Sequence, residues 1–342
     1  MTVKHFIDGR SRHGRQSPKA DRRSAVALAL LAMTLAGASP AAQAAWPEKV
    51  VRLVVPYGPG GSSDVIARLL ANEMAKDLGQ TVMIENKAGG SGTIAMQEVA
   101  RSAPDGYTVV LGHVGTLAVN PVMFEKLPYR EQDFAPVALL AKVPMVFAVR
   151  AGLPAQNLRE FIALAKTQPG KLNYGSAGNG SAGHLAFEML KVTTGIQVTH
   201  VPYKGTGAQL NDLLAGSTDA ASAGPAGFLP HARAGKLRIL ATGSAQRLPA
   251  LPDLPTVAEQ GYPGFDSSQW FGLLVPARTP PDVIARLHGA AVKALAVPAV
   301  RDRLKDDGSL ASPMNPEEFG RFIASERKRW GDVVRKADLK SE

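Results

Sequence analysis

The chain has 342 residues, enough for about two domains of roughly 150 residues each. Hydrophobic residues make up 45% of the sequence and charged residues 20%, which is typical of a globular protein with a core and does not indicate disorder. Cysteine is absent, so an exported form has to be stabilised by a hydrophobic core and not by disulfides.

The first 44 residues have the pattern of a secretory signal peptide. Seven Lys and Arg side chains precede an apolar stretch at Ala25–Ala36, and Ala42-Gln-Ala44 is a small-x-small cleavage site. The stretch is too short to span a bilayer, and no later segment has 18 uninterrupted apolar residues. We expect export, cleavage near Ala44 or Ala45, and a mature protein that is not embedded in a membrane. A basic tail with a short buried helix is the alternative.

Much of the positive charge belongs to this leader. The whole chain has a formal net charge of +10, whereas residues 45–342 hold 32 Lys and Arg against 27 Asp and Glu, a net charge of +5. A charge of this size slightly favours small anions as ligands and does not require nucleic acid. No strand pattern interleaves basic and aromatic residues, so we expect no nucleic-acid partner.

Short apolar runs alternate with helical patterns between residues 50 and 241. The predicted strands are Val50–Val55, Thr81–Glu85, Thr108–Gly112, Met145–Val149, Leu172–Tyr174, Gln197–Val201 and Leu237–Ala241. The predicted helices are Ser63–Leu78, Thr93–Arg101, Leu158–Thr167, Ala182–Thr193 and Ala208–Ala215. This alternation is typical of βαβ units and predicts an α/β fold with mostly parallel sheets.

Two further helices are predicted near the C-terminus. Thr279-Pro-Pro-Asp282 predicts a capping box with proline at the first helical position, and Asn315-Pro-Glu-Glu318 opens the second helix. Phe134–Phe147 and Tyr262–Pro276 look like crossings between domains. Two crossings make the first domain discontinuous and leave a cleft between two α/β lobes. The predicted division is residues 46–145 plus 272–342 for lobe I and residues 146–271 for lobe II.

The first glycine loop, Pro59-Gly-Gly-Ser-Ser-Asp64, lies between a predicted strand and a predicted helix. It lacks the lysine of a phosphate-binding P-loop, so nucleotide hydrolysis is not indicated. Free N–H groups at a helix N-terminus suit a carboxylate. Asp64 would repel an anion placed against it, so it braces the loop or meets a donor on the ligand. An ordinary tight turn is the alternative.

The second glycine loop runs from Tyr174 to His184. Gly178, Gly180 and Gly183 fit G-x-G-x-x-G, but no acidic residue follows at the distance that a dinucleotide-binding fold needs. Neither serine of the loop completes a G-x-S-x-G nucleophile motif. We interpret the loop as a second set of N–H and hydroxyl donors, with Ser181 and His184 facing the cleft. A purely structural hydrogen bond from His184 is equally compatible.

The remaining candidates for chemistry are few. The five histidines after the leader show no metal-ligand spacing, so neither a metal nor a cofactor is expected. Val201-Pro-Tyr-Lys-Gly205 follows a strand, and Tyr203 and Lys204 either point into the cleft or form a surface turn. Ala221-Ser-Ala-Gly224 offers small residues that leave room for a ligand.

Taken together, these motifs resemble one family along nearly the whole chain after the leader, from about Trp46 to Val334. The chain is similar to extracytoplasmic solute-binding proteins of the tripartite tricarboxylate transporter type, the Bug family. The resemblance rests on these segments: Val55-Pro-Tyr-Gly-Pro-Gly-Gly61 with Asp64, Glu85-Asn-Lys-Ala-Gly-Gly90 with Gly92, Ala103-Pro-Asp-Gly-Tyr-Thr108, Asn120-Pro121, Tyr174-Gly-Ser-Ala-Gly178, Gly183-His184, Val201-Pro-Tyr-Lys-Gly205, Ala234-Gly-Lys-Leu-Arg238, Leu254-Pro-Thr-Val-Ala-Glu259 and Pro276-Ala-Arg-Thr-Pro280.

The resemblance implies a periplasmic-binding-protein-like fold of type II, a Venus flytrap that closes on a small organic carboxylate. It implies a monomeric periplasmic receptor, not an enzyme, that serves a membrane permease of the tripartite type. Carried over to this chain, the carboxylate-binding positions are Tyr57, Pro59, Gly60, Gly61, Ser62, Asp64, Ser176, Gly178, Asn179, Ser181 and His184. The far end of the ligand is expected to meet His113, Tyr203, Gly224 and Asp266.

Two other functions remain open at this point. The first is a ligand sensor. It would bind the same ligand, and its closed form would dock on the ectodomain of a sensor kinase. An exported hydrolase would need a nucleophile with a base in reach, for which the sequence offers no convincing pair.

Overall fold

The computed structural model describes residues 46–59 and 61–339. The predicted signal peptide and Gly60 lie outside these residues. The strands are β1 (Val51–Val55), β2 (Val82–Asn86), β3 (Thr108–His113), β4 (Phe134–Val143), β5 (Val146–Arg150), β6 (Asn173–Ser176), β7 (Thr199–Pro202), β8 (Ala220–Ala223), β9 (Leu237–Thr242), β10 (Gln269–Pro276) and β11 (Leu310–Met314).

Helices lie between most of these strands. They are α1 (Ser62–Leu78), α2 (Thr93–Ala100), α3 (Asn120–Met123), α4 (Leu158–Thr167), α5 (Ala182–Thr194), α6 (Thr206–Ala215), α7 (Pro225–Arg233), α8 (Pro281–Ala296), α9 (Pro298–Asp306) and α10 (Pro316–Lys336). Single turns of 3-10 helix occur at Gly90–Gly92 and Glu131–Asp133, and a π-helical turn at Gly115–Val119. Every strand and helix predicted between residues 50 and 241 is confirmed, with ends that agree within two residues.

The strands form two separate sheets. The first has six strands in the order β11-β4-β10-β3-β1-β2, and the second has five in the order β7-β6-β8-β5-β9. Pairing is parallel where β1 meets β2 and β3, and where β6 meets β7 and β8. The other pairs in the described chain are antiparallel. The sheets are therefore mixed, and not mostly parallel as the alternation predicted.

The antiparallel strands explain this difference, because two of them lie in the segments predicted as crossings. β4 and β10 pair with each other along their length, and β10 also pairs with β3. Pro136 lies next to a register shift of this pair, and proline in a run weakens a strand prediction. β10 belongs to the first sheet from Gln269 onward, three residues before the predicted start of the second part of lobe I at residue 272.

The C-terminal helices cover the first sheet. Phe319, Ile323, Trp330 and Val334 form the buried face of α10, and the Trp270 ring of β10 meets the Phe319 ring edge-on, with 5.8 Å between ring centroids. Through this packing, α10 covers the same sheet that contains β1.

Of the two helix starts predicted near the C-terminus, the one at Asn315 is confirmed, whereas the capping box predicted at Thr279 is absent. Asn315 Oδ1 accepts a hydrogen bond from the N–H of Glu318 at 2.9 Å, and Glu318 accepts one from the N–H of Asn315 at 3.1 Å. The capping box at Thr279 is wrong, because the Thr279 hydroxyl donates to the carbonyl of Pro276 at 2.8 Å and Pro280 stands at the N-cap of α8.

Among the described helices, none is by itself both long and apolar enough to cross a bilayer. The consecutive helices α8 and α9, bent by 70° from each other, reach that length and hydropathy only as a pair. Leu287, Ala290 and Ala291 of α8 are fully buried against the core.

Candidate functional site

A cleft of about 690 Å³ lies between the two sheets. Its wall on the side of the first sheet includes Tyr57, Ser62, His113 and Phe271. The opposite wall comes from loops at the carboxyl ends of β6, β7 and β8, the edge at which open α/β sheets bind ligands.

Four helices begin at this cleft. Their N-cap residues are Gly61 of α1, Ser181 of α5, Gly205 of α6 and Gly224 of α7, and all four line the cleft. The caps of α1, α6 and α7 are glycines without a side-chain hydrogen bond to the first turn. A helix N-terminus presents unpaired N–H groups and a partial positive charge, so four of them around one cleft favour an anion.

The charged groups of the cleft support the same conclusion. Among the described residues that line it, Lys204 is the one permanently charged side chain, and no Asp or Glu is present. Lys204 lies exposed at the start of the turn before α6. The cleft therefore has a positive potential, which attracts an anion and disfavours a cation. In the described residues, no three His, Cys, Asp or Glu side chains come together in a way that would hold a metal ion.

Asp64 braces the first glycine loop and does not line the cleft. It is buried, accepts a hydrogen bond from Asn86 Nδ2 at 2.9 Å and forms an ion pair with Arg68 at 3.0 Å. The same amide nitrogen of Asn86 donates to the main-chain oxygen of Tyr57 at 3.0 Å. Asn86 at the end of β2 thus ties Tyr57, on the cleft wall, to the first turn of α1.

His113 presents a neutral imidazole to the cleft. Its Nδ1 accepts a hydrogen bond from the N–H of Gly115 at 2.6 Å, so the ring proton is on Nε2. Burial lowers the pKa of His113 to about 3, which keeps the ring uncharged at neutral pH. The ring of Tyr57 lies 4.5 Å from it between centroids, and burial raises the pKa of the Tyr57 hydroxyl above its ordinary value. Both side chains therefore offer uncharged donors.

The second glycine loop is held from inside by His184. Its Nδ1 accepts a hydrogen bond from the N–H of Gly180 at 3.1 Å, and the Ser181 hydroxyl accepts from the N–H of His184 at 3.3 Å. Gly178 and Gly180 have φ of 121° and 72°, a region that side chains disfavour. These contacts shape the loop so that Asn179 and Ser181 line the cleft while His184 stays buried behind it.

Ser176 and His200 form a close pair beneath this loop. Ser176 Oγ lies 2.6 Å from His200 Nε2, the spacing of a nucleophile and a base. Ser176 is fully buried, however, and its hydroxyl also donates to the main-chain oxygen of Gly178. It is not among the residues that line the cleft. The pair holds the loop together and does not present a nucleophile to a ligand.

The structure divides the predicted site residues into two groups. Those that line the cleft are Tyr57, Pro59, Gly61, Ser62, His113, Asn179, Ser181 and Gly224. Those that lie behind its wall or outside it are Asp64, Ser176, Gly178, His184, Tyr203 and Asp266. Gly60 lies outside the described residues.

Tyr203 and Asp266 are engaged away from the cleft. The Tyr203 hydroxyl donates to Asp212 at 2.6 Å, and this partner helps burial to raise the Tyr203 pKa to about 12. Asp266 accepts a hydrogen bond from the N–H of Ser268 at 2.9 Å, and its main-chain oxygen accepts one from Arg329. Neither side chain is placed to meet a ligand.

Several lining residues were missed by the sequence prediction. Among them are Ser91, Gln209, Ser222, Gln269 and Phe271. Ser222 stands within the small-residue segment Ala221–Gly224, which was expected to leave room for a ligand. Gln269 and Phe271 belong to β10, whose antiparallel pairing places Phe271 opposite His113 of β3 and Gln269 opposite Val143 of β4.

Comparison with known proteins gives a consistent result. A family model described as the tripartite tricarboxylate transporter family receptor matches residues 66–339. The structure of the periplasmic binding protein BugD is 35% identical, covers 87% of this chain and all of its own, and has a TM-score of 0.79. Rpa4515 of R. palustris, solved with adipate, is 35% identical with a TM-score of 0.80 and covers 86% of this chain and 99% of its own. MatC of Rhodopseudomonas palustris, solved with malate, is 37% identical with a TM-score of 0.76 and covers 84% of this chain and all of its own.

Proposed function

Because the chain belongs to the tripartite tricarboxylate transporter receptor family, we propose that it captures a small organic carboxylate and delivers it to a membrane permease of the tripartite type. The family resemblance and the periplasmic-binding-protein-like fold expected from the sequence are confirmed by these comparisons. The family consists of periplasmic solute-binding receptors, and two of the similar structures hold carboxylates, adipate and malate.

One observation carries the carboxylate assignment: four helix N-termini meet at a cleft whose described lining contains no acidic side chain. Main-chain N–H groups at helix N-termini bind a carboxylate without a large cost in reorganisation, because they are already fixed in direction. His113 and Tyr57 add uncharged donors, and Lys204 adds a positive charge. We propose that the lining residues Tyr57, Pro59, Gly61, Ser62, Asn179 and Ser181 bind the carboxylate, together with Gly60.

The mechanism that we propose is capture by closure. Lobe I, built on the first sheet, and lobe II, built on the second, close around the anion, and the permease recognises the closed form. The carboxylate binds both lobes and so favours their closed arrangement. No covalent step is needed, and the buried position of Ser176 is consistent with a receptor that is not an enzyme. We place the mature protein, cleaved near Ala44 or Ala45, in the periplasm as a monomer.

A thermal-shift screen of the mature protein tests the binding step. Carboxylic acids are compared with their matched amides, which keep the shape and lose the negative charge. An acid that binds raises the melting temperature by mass action, whereas its amide leaves the temperature unchanged. Amides that stabilise the protein as strongly as their acids, or mass spectrometry that finds a co-purified ligand without a carboxylate, would contradict the assignment.

Deletion of the gene tests the delivery step. A receptor for transport is required for uptake of the labelled acid identified in the screen, and a plasmid copy restores that uptake. Normal uptake with loss of acid-dependent gene induction would support the sensor function instead.

A further inference from the structure

A third glycine loop, Gly89-Gly-Ser-Gly92, lies between β2 and α2. Its four residues have φ of 133°, 53°, 54° and 86° in chain order, so four successive values are positive. Glycine enters this left-handed region freely, whereas a residue with a side chain does so at a cost. The three glycines therefore allow the turn, and Ser91 is the residue of the loop that carries a side chain.

Ser91 holds this conformation at the edge of the cleft. Among the residues that the structure describes, it is one of two other than glycine with a positive φ, and it lines the cleft. The other, Asp338, lies beyond the end of α10 and does not line the cleft. Backbone strain of this kind concentrates at functional sites. It points to a role for the Ser91 side chain, because glycine would form the same turn at lower cost.

The loop is fixed in place by buried residues. Asn120, which is 1% exposed, donates from Nδ2 to the main-chain oxygen of Ser91 at 3.0 Å. The same nitrogen lies 3.4 Å from the hydroxyl of Tyr129, which donates to the main-chain oxygen of Thr116 at 2.6 Å. A Cβ atom on Gly92 would come within 2.7 Å of Thr116 Cγ2, so the loop packs directly on this support. Ser91 is therefore positioned before any ligand binds, which lowers the entropy cost of binding.

The Ser91 hydroxyl points across the cleft to the second glycine loop. A Cβ atom built on Gly180 would lie 3.9 Å from Ser91 Oγ, and Gly180 stands between the lining residues Asn179 and Ser181. Ser181 is the N-cap of α5, where main-chain N–H groups favour an anion. Ser91 is partly exposed, and its hydroxyl forms no hydrogen bond within residues 46–59 and 61–339 and is not buried. A donor on the first wall thus faces the anion-binding loop of the second.

We propose that Ser91 is a ligand-binding residue whose hydroxyl donates a hydrogen bond to the carboxylate held at the second glycine loop. The inference rests on the proposed function and adds a contact that joins the lobes. N–H groups of lobe II hold the anion from one side, and Ser91 of lobe I holds it from the other. A carboxylate oxygen only accepts, so a hydroxyl suits it. An anion bound in this way keeps Ser91 close to Gly180 and stabilises the closed arrangement.

Isothermal titration of Ser91→Ala and Ser91→Gly tests this proposal. The probes are succinate, malate, citrate, adipate and benzoate, and the acid that wild type binds most tightly is then used for the variants. Both variants lack the hydroxyl, so we expect each to bind that acid about five- to tenfold more weakly. Ser217→Ala is the matched control, because it removes an exposed hydroxyl outside the cleft and should bind as wild type does.

The melting temperatures of the free proteins separate ligand binding from a structural role. Ser91→Gly relieves the strained φ, so it should melt at or above the wild-type temperature even though it binds the acid more weakly. Ser91→Ala should keep the wild-type melting temperature, because the hydroxyl that it removes forms no hydrogen bond in the described chain. Lower melting temperatures in both variants, together with weaker binding, would assign the effect to the shape of the loop and overturn the proposal.

The outcomes also separate this inference from the proposed function. Wild-type affinity in both Ser91 variants would overturn the inference and leave carboxylate binding intact. Failure of wild type to bind any of the five acids would count against the proposed function itself, and the inference would fall with it.

Discussion

Gly183 of α5 lies so close to β8 that a Cβ atom on it would come within 2.0 Å of the main-chain oxygen of Ser222. A main-chain atom within a sheet cannot move aside as a flexible side chain can. The absence of a side chain at Gly183 therefore allows the N-terminus of α5 to rest directly on the second sheet at the cleft. The position of that helix end depends on this contact.

Gly183→Ala is expected to push the start of α5 away from β8. The overpacking should cost about 1–3 kcal/mol of unfolding free energy and weaken carboxylate binding, because the N–H groups of the first turn move with the helix. Urea denaturation and titration with an acid identified by the screen measure the two effects. Gly289→Ala is the control, since Gly289 lies within α8 with nothing near its Cβ position, and alanine there should stabilise the helix by about 0.5–1 kcal/mol. Equal behaviour of the two variants would contradict the argument.

Asn86→Ala should loosen the first glycine loop. The variant loses the donor that joins Asp64 to the carbonyl of Tyr57, so we expect about fivefold weaker carboxylate binding and a loss of about 1 kcal/mol of stability. Asn173→Ala is the control, because Asn173 also holds a main-chain group, through Oδ1, which accepts a hydrogen bond from the N–H of Asp219, but does not line the cleft. If both variants bind the acid equally well, Asn86 does not position the site.

Lys204→Gln tests the electrostatic part of binding. Lys204 is exposed, so its charge is screened by solvent and the loss should be modest, about two- to fivefold in affinity for a dicarboxylate at low salt. The difference from wild type should decrease as salt is added. Lys236→Gln, at an exposed turn outside the cleft, controls for the change in net charge. A salt-independent loss would indicate that Lys204 acts through packing.

Acid should destabilise the protein through its buried histidines. Burial lowers the pKa of His113 to about 3 and those of His184 and His200 to about 4, whereas an unfolded histidine has a pKa near 6.5. Between these values the unfolded chain binds more protons than the folded chain, so stability falls as the pH falls below about 6.5. The carboxyl groups with lowered pKa, such as that of Asp77, add to this loss of stability only at lower pH, near and below about 4.

His184→Asn isolates one part of this effect. An asparagine oxygen can take over the hydrogen bond from the N–H of Gly180, and it does not titrate in this range. Urea denaturation at pH 7, 6 and 5 should show a fall in stability about 1 kcal/mol per pH unit smaller than in wild type. The rings of His184 and His200 are stacked, with 4.2 Å between their centroids. His231→Asn is the control, because His231 lies on α7 and outside this stacked pair. The same pH dependence in His184→Asn and wild type would show that His184 is not buried as a neutral ring.

The elements of this protein were predictable wherever local chemistry decides them. The 3.6-residue apolar period of α1 and the asparagine cap of α10 are local properties, and the structure has both. The two glycine loops were also identified correctly as the ends of strands that precede helices. The long antiparallel pair of β4 and β10 was not predicted, because Pro136 weakens the strand pattern of β4.

The direction of each side chain was not predictable in the same way. Asp64, Ser176 and His184 stand in the glycine loops and were assigned to the ligand, yet each is buried behind the wall and supports the loop. A spacing in sequence places a residue in a loop but does not say which side of the loop it faces. Gln209 and Ser222 carried no local signal, since an ordinary helix and an ordinary strand explain them equally well.

The sequence by itself therefore determined the family, the α/β elements and the two glycine loops that precede helices at the cleft. These properties follow from short-range periodicity, from the caps and from the residues that allow a chain to turn. Only the tertiary structure decided which side chains reach the cleft, because that depends on antiparallel pairing between distant segments and on burial.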